Sequence, residues 1–239
     1  MHEYNIRDSL IEYTTSKEFI CTNTFAYLIL IQILTNTMKT RMPYSLKYVM
    51  YIYNSAQIIL NAYIIYGLAP LSSDPLNMFG LNTVYSTKIK YFVYLHYLSK
   101  YLDYLDTVFI ILRGKTTQQL SFLHIYHHAT IGVIWGYLIH NGHGNGTTAF
   151  GALINSFIHF IMYSHYLYTS LGFVNPLKKY ITQAQMIQFS MCVLHALSVL
   201  VWETIVPRHL AYIQLFYHFQ MLYLFRNFYL KSYKNKLAN

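Results

Sequence analysis

Seven apolar stretches occupy most of the 239-residue sequence, each close to the roughly 20 residues that a helix needs to cross the hydrocarbon core of a bilayer. They run from about Phe19 to Met38, Tyr48 to Leu68, Ile89 to Leu112, Leu120 to His140, Thr148 to Leu171, Tyr180 to Glu203 and Leu210 to Leu230. In lipid a backbone must satisfy its own hydrogen bonds, which leaves helices as the economical solution for stretches of this length. Composition agrees: 10% of residues are charged, against about 25% in ordinary soluble domains. Connections are short, several carry Gly or Pro (Gly67 with Pro70, Gly142 with Gly144, Pro176, Pro207), and no linker or low-complexity tract divides the chain. The expectation is an all-α polytopic membrane protein: one domain over residues 1–239 with seven transmembrane helices. The first apolar stretch follows a mixed-charge segment holding Glu3, Asp8, Glu12 and Glu18. That segment lacks the basic start of a signal peptide, so the stretch reads as a retained helix.

Basic residues set the expected orientation. Lys39, Arg41 and Lys47 follow the first stretch, Arg113 and Lys115 the third, Lys178 and Lys179 the fifth, and Arg226, Lys231, Lys234 and Lys236 lie at the C-terminal end. These segments read as cytosolic, which places the N-terminus outside. The net charge of +9 is then mainly a topology signal that also attracts anionic substrates or lipid to the cytosolic face; no nucleic-acid motif accompanies it. Cys21 and Cys192 lie in the apolar stretches without metal-ligand spacing and read as small buried residues, not a disulfide.

Ionisable and polar groups inside a membrane are costly and face a cavity or a partner. In "KYLDYLDT", Lys100, Asp103, Asp106 and Thr107 fall within an arc of about 120° on a helix. In "FLHIYHHAT", His124, His127 and His128 stand at i, i+3 and i+4 and share a face. Asn155, His159, Met162, Tyr163 and Tyr166 form the next stripe, and Thr182, Gln185 and Gln188 the one after. Four successive helices each present a polar stripe, and the economical packing turns all four into one cavity. Taken singly, Lys100 with Asp103 reads as a snorkelling ion pair and the amides as interhelical glue. Packing gives no reason for three clustered imidazoles. Two chemistries suit them: a carboxylate and histidine set for iron, or acyl transfer in which one imidazole is nucleophile or base and its neighbours fix tautomer and charge.

Taken together, the four stripes resemble the ELO family of fatty-acid elongases, the membrane 3-oxoacyl-CoA synthases. That family's motifs look like KxxExxDT, HxxHH, NxxxHxxMYxYY and TxxQxxQ, and the stripes match them in order. "NFYLKSY" from Asn227 resembles the family's last helix, and the likeness runs from about Pro43 to Tyr233. Two positions depart: Asp103 stands where the family has Glu, so any partner it orients must sit closer or be reached through water, and His165 replaces the first Tyr of the Tyr-Tyr pair.

The resemblance implies seven helices, with helices two to seven surrounding a closed-ended tunnel for an acyl chain. It also implies condensation of a long-chain acyl-CoA with malonyl-CoA to a 3-oxoacyl-CoA two carbons longer, releasing CO2 and CoA. On that pattern His127 and His159 are the first candidates for carrying the acyl group, His124 and His128 hold geometry or move protons, and Asp103 or Asp106 orients an imidazole. Lys100, Thr107, Asn155, Met162, Tyr163, Tyr166, Thr182, Gln185, Gln188 and Asn227 are expected to contact substrate. No cofactor and no metal is implied, because both substrates arrive as CoA thioesters. Expected partners are membrane lipid and the reductases and dehydratase that complete the cycle; a homo-oligomer stays open. The expected location is the endoplasmic reticulum membrane, N-terminus lumenal and C-terminus cytosolic, although Lys234 and Lys236 in "KNKLAN" miss the dilysine register. A catalytically silent elongase-like lipid binder and a metal-dependent oxygenase remain as other readings. A seven-helix receptor would leave the stripes unexplained.

Overall fold

A computed structural model describes residues 6–70, 78–81, 83–174 and 176–234; Glu3 and Lys236, which enter the charge reading, lie outside the described residues. Among the described residues the regular structure is helical throughout, as the apolar stretches require. The helices are α1 (Ile6–Thr14), α2 (Lys17–Met38), α3 (Lys47–Leu68), α4 (Thr87–Leu102), α5 (Tyr104–Leu112), α6 (Thr116–Gln119), α7 (Phe122–His140), α8 (Thr148–Ser170), α9 (Lys178–Trp202) and α10 (Arg208–Tyr229), the last running into a π-helical turn at Leu230–Lys234.

The third expected span is not one helix. α4 ends at Leu102 and α5 begins at Tyr104, although Asp103 keeps helical dihedrals (φ −62°, ψ −17°). Asp103 N–H still bonds Ser99 C=O four residues back, but Asp106 N–H bonds Asp103 C=O only three back. The ladder tightens for one turn, a local change that no Gly or Pro announces.

Among the described residues two helices, Lys17–Met38 and Lys178–Trp202, are long and apolar enough to cross a membrane by length and composition. Polar stripes dilute the apolarity of most of the other long helices, yet two of the long helices bury polar side chains and expose apolar ones. On α3 the buried residues Asn54, Gln57 and Asn61 are 1–2% exposed, while Ile52 and Ile59 are 74% and 69% exposed. α9 repeats the pattern, burying Gln188 and His195 and exposing Ile187, Leu194 and Val201. Water would reward the reverse arrangement; hydrocarbon rewards this one.

The chain forms two compact units, divided within α4. The first comprises Met1–Leu46 with Tyr94–Gly144. There α2 buries the narrow stripe Ile20, Tyr27 and Ile31, and Tyr27 and Ile31 pack with Ile111 of α5. Because the stripe is narrow, Cys21 is exposed, contrary to the sequence expectation, while Cys192 is buried as expected; both are free thiols. α1 is pinned at its end: Tyr97 Oη donates to Thr14 C=O at 2.6 Å, and Thr14 Oγ1 meets Tyr94 Oη at 2.8 Å. α7 offers Gly132 and Gly136, a small-xxx-small pair that lets membrane helices approach closely. A Cβ on Gly136 would lie 2.5 Å from Ile20 Cδ1 of α2 and 3.1 Å from Tyr97 Oη of α4.

The second unit comprises Lys47–Val93 with Asn145–Asn239. α3 packs along α8, and α9 along α10 and α8. Tyr51 Oη, near the start of α3, donates to Ser170 C=O at the end of α8. Gln183 at the start of α9 donates to Tyr229 Oη at the end of α10 at 2.9 Å. The neighbourhoods of Lys47, Lys178 and Lys231 therefore share one end of this unit. At its other end Asn145 and Ser86 exchange two hydrogen bonds, and the Glu203 carboxylate accepts from Thr83 Oγ1 and from the Thr204 and Ile205 N–H groups. Burial, and next the Glu203 charge, raise the Tyr85 phenol above its ordinary pKa in this loop cluster.

Candidate functional site

Ser121 starts α7 in extended conformation (φ −92°, ψ 161°) and its Oγ accepts the His124 N–H at 3.2 Å, satisfying one of the open donors of the first turn. This cap fixes where the helix begins, one turn before the histidine pair. The three imidazoles then follow on one face: the His124 and His128 rings lie 4.3 Å apart and tilted 38°, and His127 meets His128 edge to face at 5.7 Å. His128 is buried, and the other two are half-buried.

The first stripe lies in the same unit. Lys100 Nζ stands 3.1 Å from Asp103 Oδ2, with the two side chains 1% and 3% exposed. The carboxylate that departs from Glu thus engages an ammonium one turn earlier on its own stretch. Asp106 is half-buried in the first turn of α5, and Thr107 is fully buried. Thr107 Oγ1 lies 2.8 Å from His124 Nε2 and 3.0 Å from Tyr27 Oη. Tyr27 stacks on Tyr104 at 4.2 Å and is 2% exposed. Two of the sequence stripes are therefore joined through the Thr107 hydroxyl, which also meets Tyr27 of α2.

The remaining stripes lie in the second unit. On α8, His159 and Tyr163 are buried and their rings meet edge to face at 5.7 Å; Asn155 and Met162 are half-buried, and Tyr166 is 38% exposed. On α9, Thr182 and Gln188 are buried; Gln185 Nε2 approaches Met162 Sδ at 3.7 Å, joining the third and fourth stripes. Thr182 Oγ1 meets Tyr233 Oη at 3.4 Å in the stretch resembling the family's last helix. Asn227, expected at the site, is exposed on α10. His165 is half-buried beside Tyr166, at 5.8 Å between rings, off the His159 face.

Two polar groups escaped the sequence reading. Gln57 Nε2 donates to Tyr53 Oη at 3.0 Å and to Tyr163 Oη at 3.3 Å, so the second apolar stretch also carries a stripe, Asn54, Gln57 and Asn61, reaching the third motif. Its i, i+3, i+7 spacing is the same signal that revealed the others. The second group extends the last stripe by two turns. Buried His195 lies 2.9 Å from Met78 C=O through Nε2 and 3.0 Å from Gln214 Nε2 through Nδ1. Since the carbonyl only accepts and the amide nitrogen only donates, His195 carries its proton on Nε2. Among the described residues no group of three or more His, Cys, Asp or Glu is placed to hold a metal ion.

The ELO family model, described as the GNS1/SUR4 family, matches residues 13–239. A protein of Leishmania major named fatty acid elongase 5 is 50% identical over 206 residues, covering 86% of this chain and 82% of its own. Fatty acid elongase 5 of Trypanosoma cruzi is 43% identical over 239 residues, covering 98% and 93%. Fatty acid elongase 4 of Trypanosoma brucei brucei is 45% identical over 206 residues, covering 86% and 81%.

Proposed function

The chain belongs to the ELO family, and from that premise we propose that it is the condensing enzyme of fatty-acid elongation, joining a long-chain acyl-CoA to the two-carbon unit of malonyl-CoA. The observation that carries this reading is the histidine group at the start of α7, capped by Ser121 and bonded through Thr107, within a match that runs almost the whole chain. Three ordered imidazoles in an apolar helix suit acyl transfer because a neutral imidazole is both a nucleophile and a proton carrier near neutral pH.

In the proposed reaction His127, with His159 as the other candidate, attacks the acyl thioester carbonyl. The carbon–sulfur bond breaks, CoA leaves as thiolate and takes the proton that the imidazole loses. Malonyl-CoA then loses CO2, and the electron pair of that bond attacks the acyl carbon as the imidazole departs. One proton is consumed overall, giving 3-oxoacyl-CoA, CoA and CO2. Lys100, Asn155, Gln185 and Tyr163 are the donors suited to oxyanions or to the malonyl carboxylate. Among the other expected residues, Asp103 or Asp106 orients an imidazole, and Thr182, Gln188, Met162, Tyr166 and Asn227 line or approach the substrate. No cofactor is required by this chemistry.

Seven spans, an acyl tunnel among spans two to seven, residence in the endoplasmic reticulum membrane with a cytosolic C-terminus, and cooperation with the reductases and dehydratase of the cycle belong to the same proposal. Exposed apolar faces with buried polar ones, and the gathering of basic neighbourhoods at one end of the second unit, support the membrane part.

Purified protein with labelled malonyl-CoA and a panel of acyl-CoAs tests the reading. The expected result is 3-oxoacyl-CoA from wild type, none from His127→Ala, and an acyl adduct on intact protein when malonyl-CoA is withheld. Folded wild type that makes no product with any chain length overturns it in favour of a silent lipid binder.

A further inference from the structure

We propose that Tyr27, on the first long helix and outside the four motifs, is a positioning residue that sets the tautomer of His124 through Thr107. The argument is one of counting protons. Tyr27 Oη is buried, and among the described residues its hydrogen-bond partner is Thr107 Oγ1 at 3.0 Å. A buried hydroxyl proton left without an acceptor is costly, so Tyr27 donates to Thr107. Thr107 is itself fully buried, and its other partner is His124 Nε2 at 2.8 Å. Its proton must therefore go to that nitrogen. The chain of donors runs one way, Tyr27 to Thr107 to His124, and Nε2 is an acceptor. Neutral His124 consequently holds its proton on Nδ1.

The opposite direction fails at its end. If His124 donated from Nε2, Thr107 would either donate to Tyr27, leaving the phenol proton unplaced in the cluster of Tyr27, Ile31 and Ile111, or accept from both, leaving its own proton unplaced there. The ring geometry holds the phenol where the chain needs it, since Tyr27 stacks on Tyr104 at 4.2 Å and 21°.

The inference rests on the condensing role proposed above and deepens it by dividing labour within the histidine triple. His124 is a donor through Nδ1, fixed beside His128 at 4.3 Å between rings, while its Nε2 lone pair is committed. The nucleophile then has to be sought at His127 or His128 in this unit, not at His124. Thr107, expected from its motif to contact substrate, spends its proton on the relay.

Tyr27→Phe removes the hydroxyl and keeps the ring stack. With the full-length protein in detergent, the expected result is a fall in kcat on the order of tenfold or more, with KM for acyl-CoA unchanged and thermal stability near wild type. In parallel, nitrogen-15 spectra of histidine-labelled protein should show His124 as the Nδ1–H form in wild type and in Thr107→Ser. They should show loss of that pure form in Tyr27→Phe and Thr107→Val. A wild-type kcat in Tyr27→Phe, or a wild-type His124 protonated on Nε2, overturns the relay. Because the spectra do not depend on turnover, wild type lacking condensation activity but showing the Nδ1–H signature would sink the functional reading and leave the relay standing.

Discussion

Lys100 and Asp103 form an ion pair with side chains 1% and 3% exposed, and removing one partner takes a close opposite charge away from a buried group. Asp103→Ala should therefore cost about 3–5 kcal/mol, whereas replacing both at once, Lys100→Met with Asp103→Leu, should recover a large part of it. Unfolding followed by circular dichroism in detergent checks both; a double variant no more stable than the single one would show that the pair is not the source of the loss. That pair was visible in the sequence because i and i+3 share a helix face. Tyr27 was not, because an aromatic residue on an apolar helix looks like packing material until the fold brings a threonine 80 positions away to within 3.0 Å of its hydroxyl. The histidine triple lies between these cases. Its spacing was plain, but the direction of protons through it depends on a partner supplied by another helix.

At the scale of elements, close approach and buried polar ties decide which helices hold together. Gly136 of α7 leaves room for Ile20 and Tyr97, so Gly136→Leu must displace those side chains or push α2 or α4 away; overpacking of this kind costs about 1–3 kcal/mol. A lower melting temperature measured in detergent is the expected outcome, and an unchanged one would mean that Ile20 swings aside freely. His195 ties α9 to Gln214 of α10 and to the Met78 carbonyl before α4. His195→Leu takes the donor from the Met78 carbonyl, while Gln214 Nε2 keeps the Cys192 C=O at 3.3 Å, and about 1–3 kcal/mol is the expected penalty. Faster amide exchange around residues 78–81 would be the local signature. The Asn54, Gln57, Asn61 stripe is readable from the same face-sharing spacing as the other stripes, and the Gly132–Gly136 pair from small-residue spacing. The break at Asp103 was not readable, because a single tightened turn with helical dihedrals leaves no compositional trace.

At the scale of the whole molecule, the apolar stretches dictated the helices but not the grouping of segments into Met1–Leu46 with Tyr94–Gly144 and the remainder. That grouping depends on which side chains interlock, which hydrophobic periodicity does not encode. Orientation is more accessible, because basic residues alternate from loop to loop. Asn145-Gly146-Thr147 matches the pattern of an N-glycosylation acceptor in a loop that the alternation places in the lumen. Its amide, however, is occupied: Nδ2 donates to Ser86 C=O at 3.0 Å, while Oδ1 accepts from Ser86 N–H at 3.2 Å and from Gly146 N–H at 2.9 Å. The native acceptor should therefore remain unmodified even in a lumenal loop. A long Gly/Ser insertion carrying its own Asn-Gly-Thr separates topology from occupancy, since such a linker is flexible and reaches clear of the fold. Placed at Gly142 it should be glycosylated in microsomes; placed at Gly172, beside Lys178 and Lys179, it should not. Modification at Gly172 alone would invert the orientation and with it the assignment of the basic end to the CoA substrates, while modification at both sites would break the alternation of spans on which the seven-helix proposal stands.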